Sequence, residues 1–174
     1  TLDNGLRIVA ETSDNAASAA IGFFVKTGAR DEEASLMGVS HFLEHMMFKG
    51  SETRSAEEVD LAFDDLGATH NAFTSSEMTA FWGASLPESI EEVHDILADI
   101  LRPALRQEDF DAEKNVILEE IAMYEDQPFW VLYEQAMKQY YGDHPLGFRV
   151  LGTTETINNM KRDEMQVYFD HRYS

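Results

Sequence analysis

The sequence contains no cysteine, and this absence excludes disulfide bonds, thiolate metal ligands and a cysteine nucleophile. It also lacks any apolar run long enough to cross a membrane, so we expect no membrane span. Basic residues are scarce: 13 Lys and Arg stand against 33 Asp and Glu, which gives a formal net charge of −20. Such a surface repels phosphate backbones, and nucleic-acid binding is therefore not expected.

The remaining composition is that of an ordinary globular protein, with 44% hydrophobic and 26% charged residues. A length of 174 residues suits one domain or a little more and provides ample material for a core. No signal peptide is recognisable in the sequence, and a cytoplasmic location is the expectation.

The hydrophobic periodicity alternates between strands and helices. Strands are predicted at 5–12 and 17–26, as a hairpin or as adjacent strands of one sheet, and an antiparallel pair is predicted at 69–75 and 78–85. Helical spacing predicts helices over the segment that ends at Gly50, over 55–66, 87–101, 107–126 and 128–141, and over two short segments capped by Thr153 or Thr154 and by Asp163. This order predicts an α+β fold with an antiparallel-rich sheet and helices packed on one face.

The segment 38–50 contains the pattern His-x-x-Glu-His, formed by His41, Glu44 and His45. At about 100° per residue of helix, the two histidines share one face, and Glu44 lies to one side of His41. Two neutral imidazoles suit zinc, and Glu44 can either bind the metal or accept a proton from a water molecule at the metal. A single histidine is more often structural, but this pattern as a unit is a zinc-peptidase motif.

Two histidines do not complete a zinc site, so a third ligand is needed from elsewhere in the chain. On the predicted helix 107–126, Glu113 and Glu120 are seven residues apart and border one apolar stripe, whereas Glu119 points toward water. A carboxylate beside an apolar stripe needs a partner, because an unpaired buried charge is costly. Glu120 or Glu113 is therefore favoured over Glu119 as the third ligand.

These motifs, taken with their flanking sequence, resemble the N-terminal catalytic module of the pitrilysin family of zinc peptidases, which includes insulysin and the mitochondrial processing peptidase. The matching segments beyond the histidine motif are 113–120, 66–81, His144-Pro-Leu-Gly and Leu151-Gly-Thr. The resemblance extends over essentially the whole chain. The sequence departs from it at 68–70, where Ala-Thr-His stands in place of a frequent second glycine.

The resemblance implies that one Zn²⁺ per chain is bound by His41, His45 and Glu120. It implies that the catalytic acids are Glu44, which accepts the proton of the attacking water, and Glu113, which supports the site.

Further roles are expected around this centre. Glu113 and Glu77 are candidates to hold ligand imidazoles in the required tautomer, although a plain exposed acid in a turn is an equal alternative for Glu77. Asn71, Ala72 and Phe73 resemble an edge strand that binds an extended peptide by β-augmentation, and the alternative is an ordinary sheet strand.

Members of this family are longer than 174 residues. The resemblance implies that residues 1–174 are an N-terminal zinc-peptidase domain that lacks its own C-terminal part and a second homologous domain or subunit, which would close the cleft. The isolated chain is then expected to fold but to be catalytically feeble, and an exposed sheet edge favours a dimer.

The function expected of the whole protein is zinc-dependent endopeptidase activity on short or unfolded peptides. The alternative is a non-catalytic or partner subunit of a processing-peptidase-like complex, but such relatives typically lose the motif that is complete here. A binding module with structural zinc is a further alternative, and it would favour four protein ligands.

Overall fold

A three-stranded antiparallel sheet with the spatial order β1-β3-β2 forms one side of the molecule in the computed structural model, which describes residues 1–173. β1 spans Ala19–Val25, β2 spans Thr69–Thr74 and β3 spans Thr79–Ser85. The predicted pairing of β2 with β3 across a short turn is confirmed. The sequence also predicts a strand or loop at Ser174, which lies outside the described residues.

Helices occupy most of the remaining chain. They are α1 (Val39–Met47), α2 (Ala56–Asp65), α3 (Ile90–Ile100), α4 (Gln107–Glu125), α5 (Pro128–Tyr141), α6 (Thr154–Asn159) and α7 (Arg162–Arg172). Thr153, rather than Thr154, caps α6. Among the described residues, no helix combines the length and the apolarity needed to cross a membrane. The predicted α+β class is confirmed.

The core lies between the sheet and the helices. Gly83 of β3 lies directly beneath α3, and a Cβ atom at this position would be 2.6 Å from Cγ1 of Val93. The absence of a side chain at Gly83 therefore lets α3 approach the sheet closely. α1 contacts the sheet and α4, and Phe42 of α1 stacks on Phe110 of α4 with 4.7 Å between ring centroids. The helix with the histidine motif is thus central to the fold.

The predicted strand at 5–12 does not form, and neither does its hairpin with the next segment. β1 pairs with β3 instead, and residues 6–13 have no regular secondary structure. Ile8 and Val9 are 65% and 86% exposed. A strand is stable only when its backbone groups pair with a neighbour, and the described residues provide none here. The alternation of apolar residues indicated strand propensity, but it does not show whether a pairing strand is present.

Two predicted helix starts also differ from the structure. Pro87–Ser89 forms a short 3₁₀ turn before α3 rather than the first turn of one continuous helix. α7 begins after Lys161 and not at Asp163, because the Glu164 carboxylate accepts a hydrogen bond from the Lys161 backbone N–H at 3.0 Å. This bond pairs the free amide at the helix start and leaves Asp163 inside the first turn.

A buried carboxylate closes the N-terminus of α1. Glu32, which is 6% exposed, accepts hydrogen bonds from the backbone N–H groups of Gly38 at 2.7 Å and Ser40 at 2.8 Å. A helix start leaves such N–H groups unpaired, and an acidic group there interacts favourably with the helix dipole. Burial nevertheless raises the pKa of Glu32 to about 8, against the lowering effect of the hydrogen bonds from Ser40 and Gly38.

We expect Glu32 to make the stability of the fold depend on pH. The pKa is raised from 4.5 to about 8, so between these values folded Glu32 holds a proton that the unfolded chain has released. Its contribution to the free energy of unfolding is therefore fully present below the unfolded pKa and is lost as the pH rises through about 8. The slope is at most about 1.4 kcal/mol per pH unit.

Chemical denaturation of the wild-type and Glu32→Gln full-length proteins at several pH values would measure this effect. The free energy of unfolding of the wild type, minus that of the variant, should fall as the pH rises. A difference that does not change with pH would contradict the raised pKa.

Candidate metal centre

Two histidines of α1 and one acid of α4 converge on a single point. His41 and His45 lie one helical turn apart, with 4.7 Å between their ring centroids. Oε2 of Glu120 lies 3.6 Å from Nε2 of each imidazole. One ligand atom from each of the three residues lies within 4.8 Å of the other two. The structure thus brings together the three residues that the family resemblance implied as ligands.

This donor set fits a zinc ion. A separation of 3.6 Å is too long for a hydrogen bond, and Oε2 of Glu120 is a buried atom with no hydrogen-bond partner among the described residues. Two ligands about 2.1 Å from a tetrahedral zinc ion are about 3.4 Å apart, which is close to the 3.6 Å between Oε2 of Glu120 and each imidazole. A cation between the three groups would remove the cost of the unpaired oxygen. That these residues bind the metal stays a prediction.

Two further acids of α4, Glu119 and Glu113, lie away from this point. Glu119 is exposed on the outer side of the helix. Glu113 is 5% exposed, and its Oε1 lies 2.8 Å from Nδ1 of His45, the nitrogen that does not face Glu120. The sequence left Glu113 and Glu120 both open as the third ligand. In the structure, Glu120 faces the Nε2 atoms of both histidines, whereas Glu113 contacts Nδ1 of His45. Any effect of Glu113 on catalysis would therefore act through the His45 imidazole.

The two imidazoles have different electrostatic environments. Burial, together with the smaller effect of the neighbouring His45, lowers the pKa of His41 to about 3, so His41 is neutral near pH 7. Burial also acts to lower the pKa of His45, but the hydrogen bond to Glu113 and the nearby carboxylate charges outweigh it, and the pKa is raised. A metal ligand must be the neutral imidazole, so a metal at Nε2 of His45 would compete with a proton.

Glu44 is not one of the three converging groups, and it contacts the end of β2. Oγ1 of Thr74 donates a hydrogen bond to Oε2 of Glu44 at 2.6 Å. Burial raises the pKa of Glu44, although the Thr74 hydrogen bond and His45 oppose the shift. A carboxylate with a raised pKa is a better general base than an exposed one. Thr74 was not among the predicted site residues, because its contact appears only when β2 is placed against α1.

β2, which ends at Thr74, lies at the edge of the sheet. Within residues 1–173, β2 pairs only with β3, so its outer backbone groups have no strand partner. The Ala72 N–H donates to Oδ1 of Asn71 at 2.8 Å instead, and Phe73 is 44% exposed. This is the open edge that β-augmentation requires. Peptide binding by Asn71, Ala72 and Phe73 stays a prediction.

Glu77 lies in the turn between β2 and β3. Its carboxylate pairs with Arg30, and its side chain is 60% exposed. None of its contacts in the described part of the chain reaches His41 or His45. Glu77 therefore makes no contact through which it could orient either imidazole. Its position matches the alternative, which is an exposed acid in a turn.

A groove of about 380 Å³ opens beside Thr74, between the end of β2 and helices α4 and α5. Aromatic side chains form much of its wall, and they are Tyr124, Trp130, Tyr133 and Phe148. No sequence motif marked these residues as a group, because they come from three separate segments of the chain. A groove with such walls suits an apolar or aromatic side chain.

The chain is similar to known peptidases over its whole length. A family model described as insulinase (peptidase family M16) matches residues 7–154. The uncharacterized zinc protease YmxG of Bacillus subtilis is 41% identical over 175 residues, which cover 100% of this chain and 43% of YmxG. The uncharacterized zinc protease ML0855 of Mycobacterium leprae is 38% identical, with 100% of this chain and 39% of ML0855 covered. The chain thus spans about two-fifths of the length of these relatives.

Solved structures agree with this assignment. A protease from Helicobacter pylori superposes with a TM-score of 0.95 and 25% identity, covering 100% of this chain and 42% of that one. Pitrilysin superposes with a TM-score of 0.82 and 22% identity, covering 94% of this chain and 18% of pitrilysin, which shows a shared fold. The predicted pitrilysin-like fold is confirmed. Sequence and fold together establish that the chain belongs to the insulinase family, peptidase family M16.

Proposed function

We propose that the full-length protein is a zinc-dependent endopeptidase that cleaves short or unfolded peptides. The observation that carries this proposal is the convergence of His41, His45 and the unpaired Glu120 oxygen, with Glu44 nearby on the same helix as the histidines. The relatives YmxG and ML0855 are named zinc proteases, which supports the same chemistry. One Zn²⁺ per chain is expected, because residues 1–173 offer one such cluster.

The residues around the cluster suit the hydrolysis of a peptide bond. A zinc ion held by His41, His45 and Glu120 would supply Lewis-acid chemistry, lowering the pKa of a coordinated water to about 7 and polarising the peptide carbonyl. Glu44 would accept the proton of the attacking water and deliver it to the leaving amine, and its raised pKa favours this role. Thr74 holds Oε2 of Glu44, which leaves Oε1 free to take the proton.

The open edge of β2 and the groove support an extended peptide as substrate. Main-chain hydrogen bonds to a sheet edge require an extended segment, which short and unfolded peptides provide and folded proteins rarely do. Asn71, Ala72 and Phe73 would form this edge, and the aromatic groove beside Thr74 would take one substrate side chain. The net charge of −20 favours cationic peptides.

The proposal extends to a longer protein. Because the chain spans about two-fifths of YmxG and ML0855, residues 1–174 would be its N-terminal zinc-peptidase domain, and a second homologous domain or subunit would close over the cleft. Without that second part the substrate would be poorly oriented, so the isolated chain is expected to be a feeble catalyst. A dimer and a cytoplasmic location stay predictions.

Glu120→Gln and Glu119→Gln form a matched pair that tests the proposed site. The first variant should lower zinc affinity more than about 100-fold, because losing even a residue that merely supports a ligand costs 10–100-fold. The second variant makes the same charge change on an exposed face and should alter neither zinc content nor activity.

The measurements are elemental analysis after dialysis and chelator-sensitive hydrolysis of an unstructured peptide by the full-length protein. A wild type without zinc and without chelator-sensitive hydrolysis would exclude the proposed function. Loss of zinc in Glu119→Gln, with full retention in Glu120→Gln, would show that the wrong acid was assigned.

A further inference from the structure

A lysine just beyond α1 contacts the acid that holds His45. Nζ of Lys49 lies 2.6 Å from Oε2 of Glu113, and Oε1 of Glu113 lies 2.8 Å from Nδ1 of His45. The Glu113 side chain is 6% exposed, whereas that of Lys49 is 35% exposed. The three side chains therefore form a continuous row that leads from the surface to the imidazole, whose Nε2 faces Glu120.

We propose that Lys49 is a positioning residue of the metal centre and that it acts through Glu113. This inference rests on the proposed function, because it concerns the same site. Lys49 fixes the second oxygen of Glu113 so that the first oxygen stays directed at Nδ1 of His45. The Nδ1–H···O bond then selects the tautomer in which Nε2 carries the lone pair that a metal needs.

The near-complete burial of Glu113 makes the lysine necessary. One carboxylate oxygen is satisfied by His45, and Lys49 is the cationic partner of the other. Without Lys49, a nearly buried negative charge would lose its counter-charge, which is a costly arrangement. The carboxylate would turn to find another donor, and the bond to His45 would be strained or lost.

The backbone of the turn that carries Lys49 is held in one conformation. The Arg106 guanidinium donates to the carbonyl of Lys49 at 3.3 Å, and the Ala104 N–H donates to the carbonyl of Gly50 at 3.1 Å. Gly50 has a φ of 102°, and a Cβ atom there would be 2.4 Å from the carbonyl oxygen of Arg54. Only glycine fits this position. Lys49 is therefore presented to Glu113 by a fixed turn, which suits a positioning role.

Three variants of the full-length protein test the proposal. Lys49→Met keeps the apolar stem and removes the charge, Lys49→Arg keeps the charge, and Lys26→Met makes the same change at an exposed lysine away from the site. Competition with a chromophoric chelator should show zinc binding about tenfold weaker in Lys49→Met. Binding should stay near the wild-type value in Lys49→Arg and Lys26→Met.

The imidazole can also be observed without metal. At a pH high enough for the imidazole to be neutral, nitrogen chemical shifts of ¹⁵N-histidine-labelled, zinc-free protein should report a single Nδ1–H tautomer for His45 in the wild type and a mixture in Lys49→Met. A loss of stability alone would not produce this change of tautomer. Unchanged zinc affinity and an unchanged His45 tautomer in Lys49→Met would overturn the proposal.

A double-mutant cycle with Glu113→Gln identifies the route of the effect. If Lys49 acts through Glu113, adding Lys49→Met to Glu113→Gln should not weaken zinc binding further. A full additional tenfold loss in the double variant would overturn the inference. That result would leave the proposed function intact, whereas a wild-type protein that binds no zinc would exclude the proposed function itself.

Discussion

Glu44→Gln is expected to lower kcat for peptide hydrolysis by about 10²–10⁴-fold while zinc stays bound. The amide has nearly the same shape as the carboxylate, and its oxygen can still accept the hydrogen bond from Thr74, seen at 2.6 Å. It cannot accept a proton from the attacking water, so the step assigned to Glu44 fails. Glu44 is not one of the three converging residues, so metal content should be unchanged.

Kinetics and elemental analysis on the same preparation separate the two roles that the motif allows for Glu44. Glu57→Gln, a change at an exposed acid in the first turn of α2, is the matched control and should behave as wild type. Retention of most of the wild-type kcat in Glu44→Gln would exclude Glu44 as the general base. Loss of zinc in this variant would identify Glu44 as a ligand instead.

His45→Ala is expected to abolish zinc binding and to reduce hydrolysis to the rate without enzyme. The change removes one of three converging ligand atoms, and a catalytic zinc site ordinarily keeps three protein ligands. It also removes the partner of Glu113, whose Oε1 lies 2.8 Å from Nδ1. Leaving that nearly buried oxygen unpaired should lower the free energy of unfolding by about 1–3 kcal/mol.

Zinc content, peptide hydrolysis and denaturant unfolding of the full-length protein check this prediction. His41→Ala should also lose zinc. His94→Ala on α3, where the side chain is 46% exposed and contacts Asp95, is the control and should keep both zinc and activity. Equal zinc content in His45→Ala and His94→Ala would disprove the proposed metal centre.

Much of the candidate site could be predicted from local periodicity, because its predicted metal ligands and catalytic acids lie on only two helices, α1 and α4. His41, Glu44 and His45 share α1, so their relative placement follows from helix geometry alone. The exposure of Glu119 and the burial of Glu113 followed from their positions on α4 relative to its apolar stripe. Periodicity alone left Glu113 and Glu120 both open as the third ligand, because it contains no distances between α1 and α4.

The contacts that the sequence did not reveal all join distant segments. Thr74 reaches Glu44 only because β2 ends beside α1, and Lys49 reaches Glu113 only because a fixed turn directs it there. In the sequence, Glu32 is one acid in a predicted loop, and only the structure shows its hydrogen bonds to the start of α1. Conversely, the alternation in 5–12 favoured a strand, but strand formation depends on a neighbouring strand that local sequence does not encode.

The packing of α1 has a consequence for how this protein can diverge from its relatives. Seven of the nine residues of the helix are buried, and the two that are not are Glu44 and His45. Truncating a buried Leu or Phe here would cost about 2–5 kcal/mol, a large part of the stability of a typical domain. Every residue of α1 is therefore either buried in the core or part of the candidate site, and we expect few substitutions in this helix to be neutral. Substitutions should accumulate on the acidic outer surface long before they reach α1.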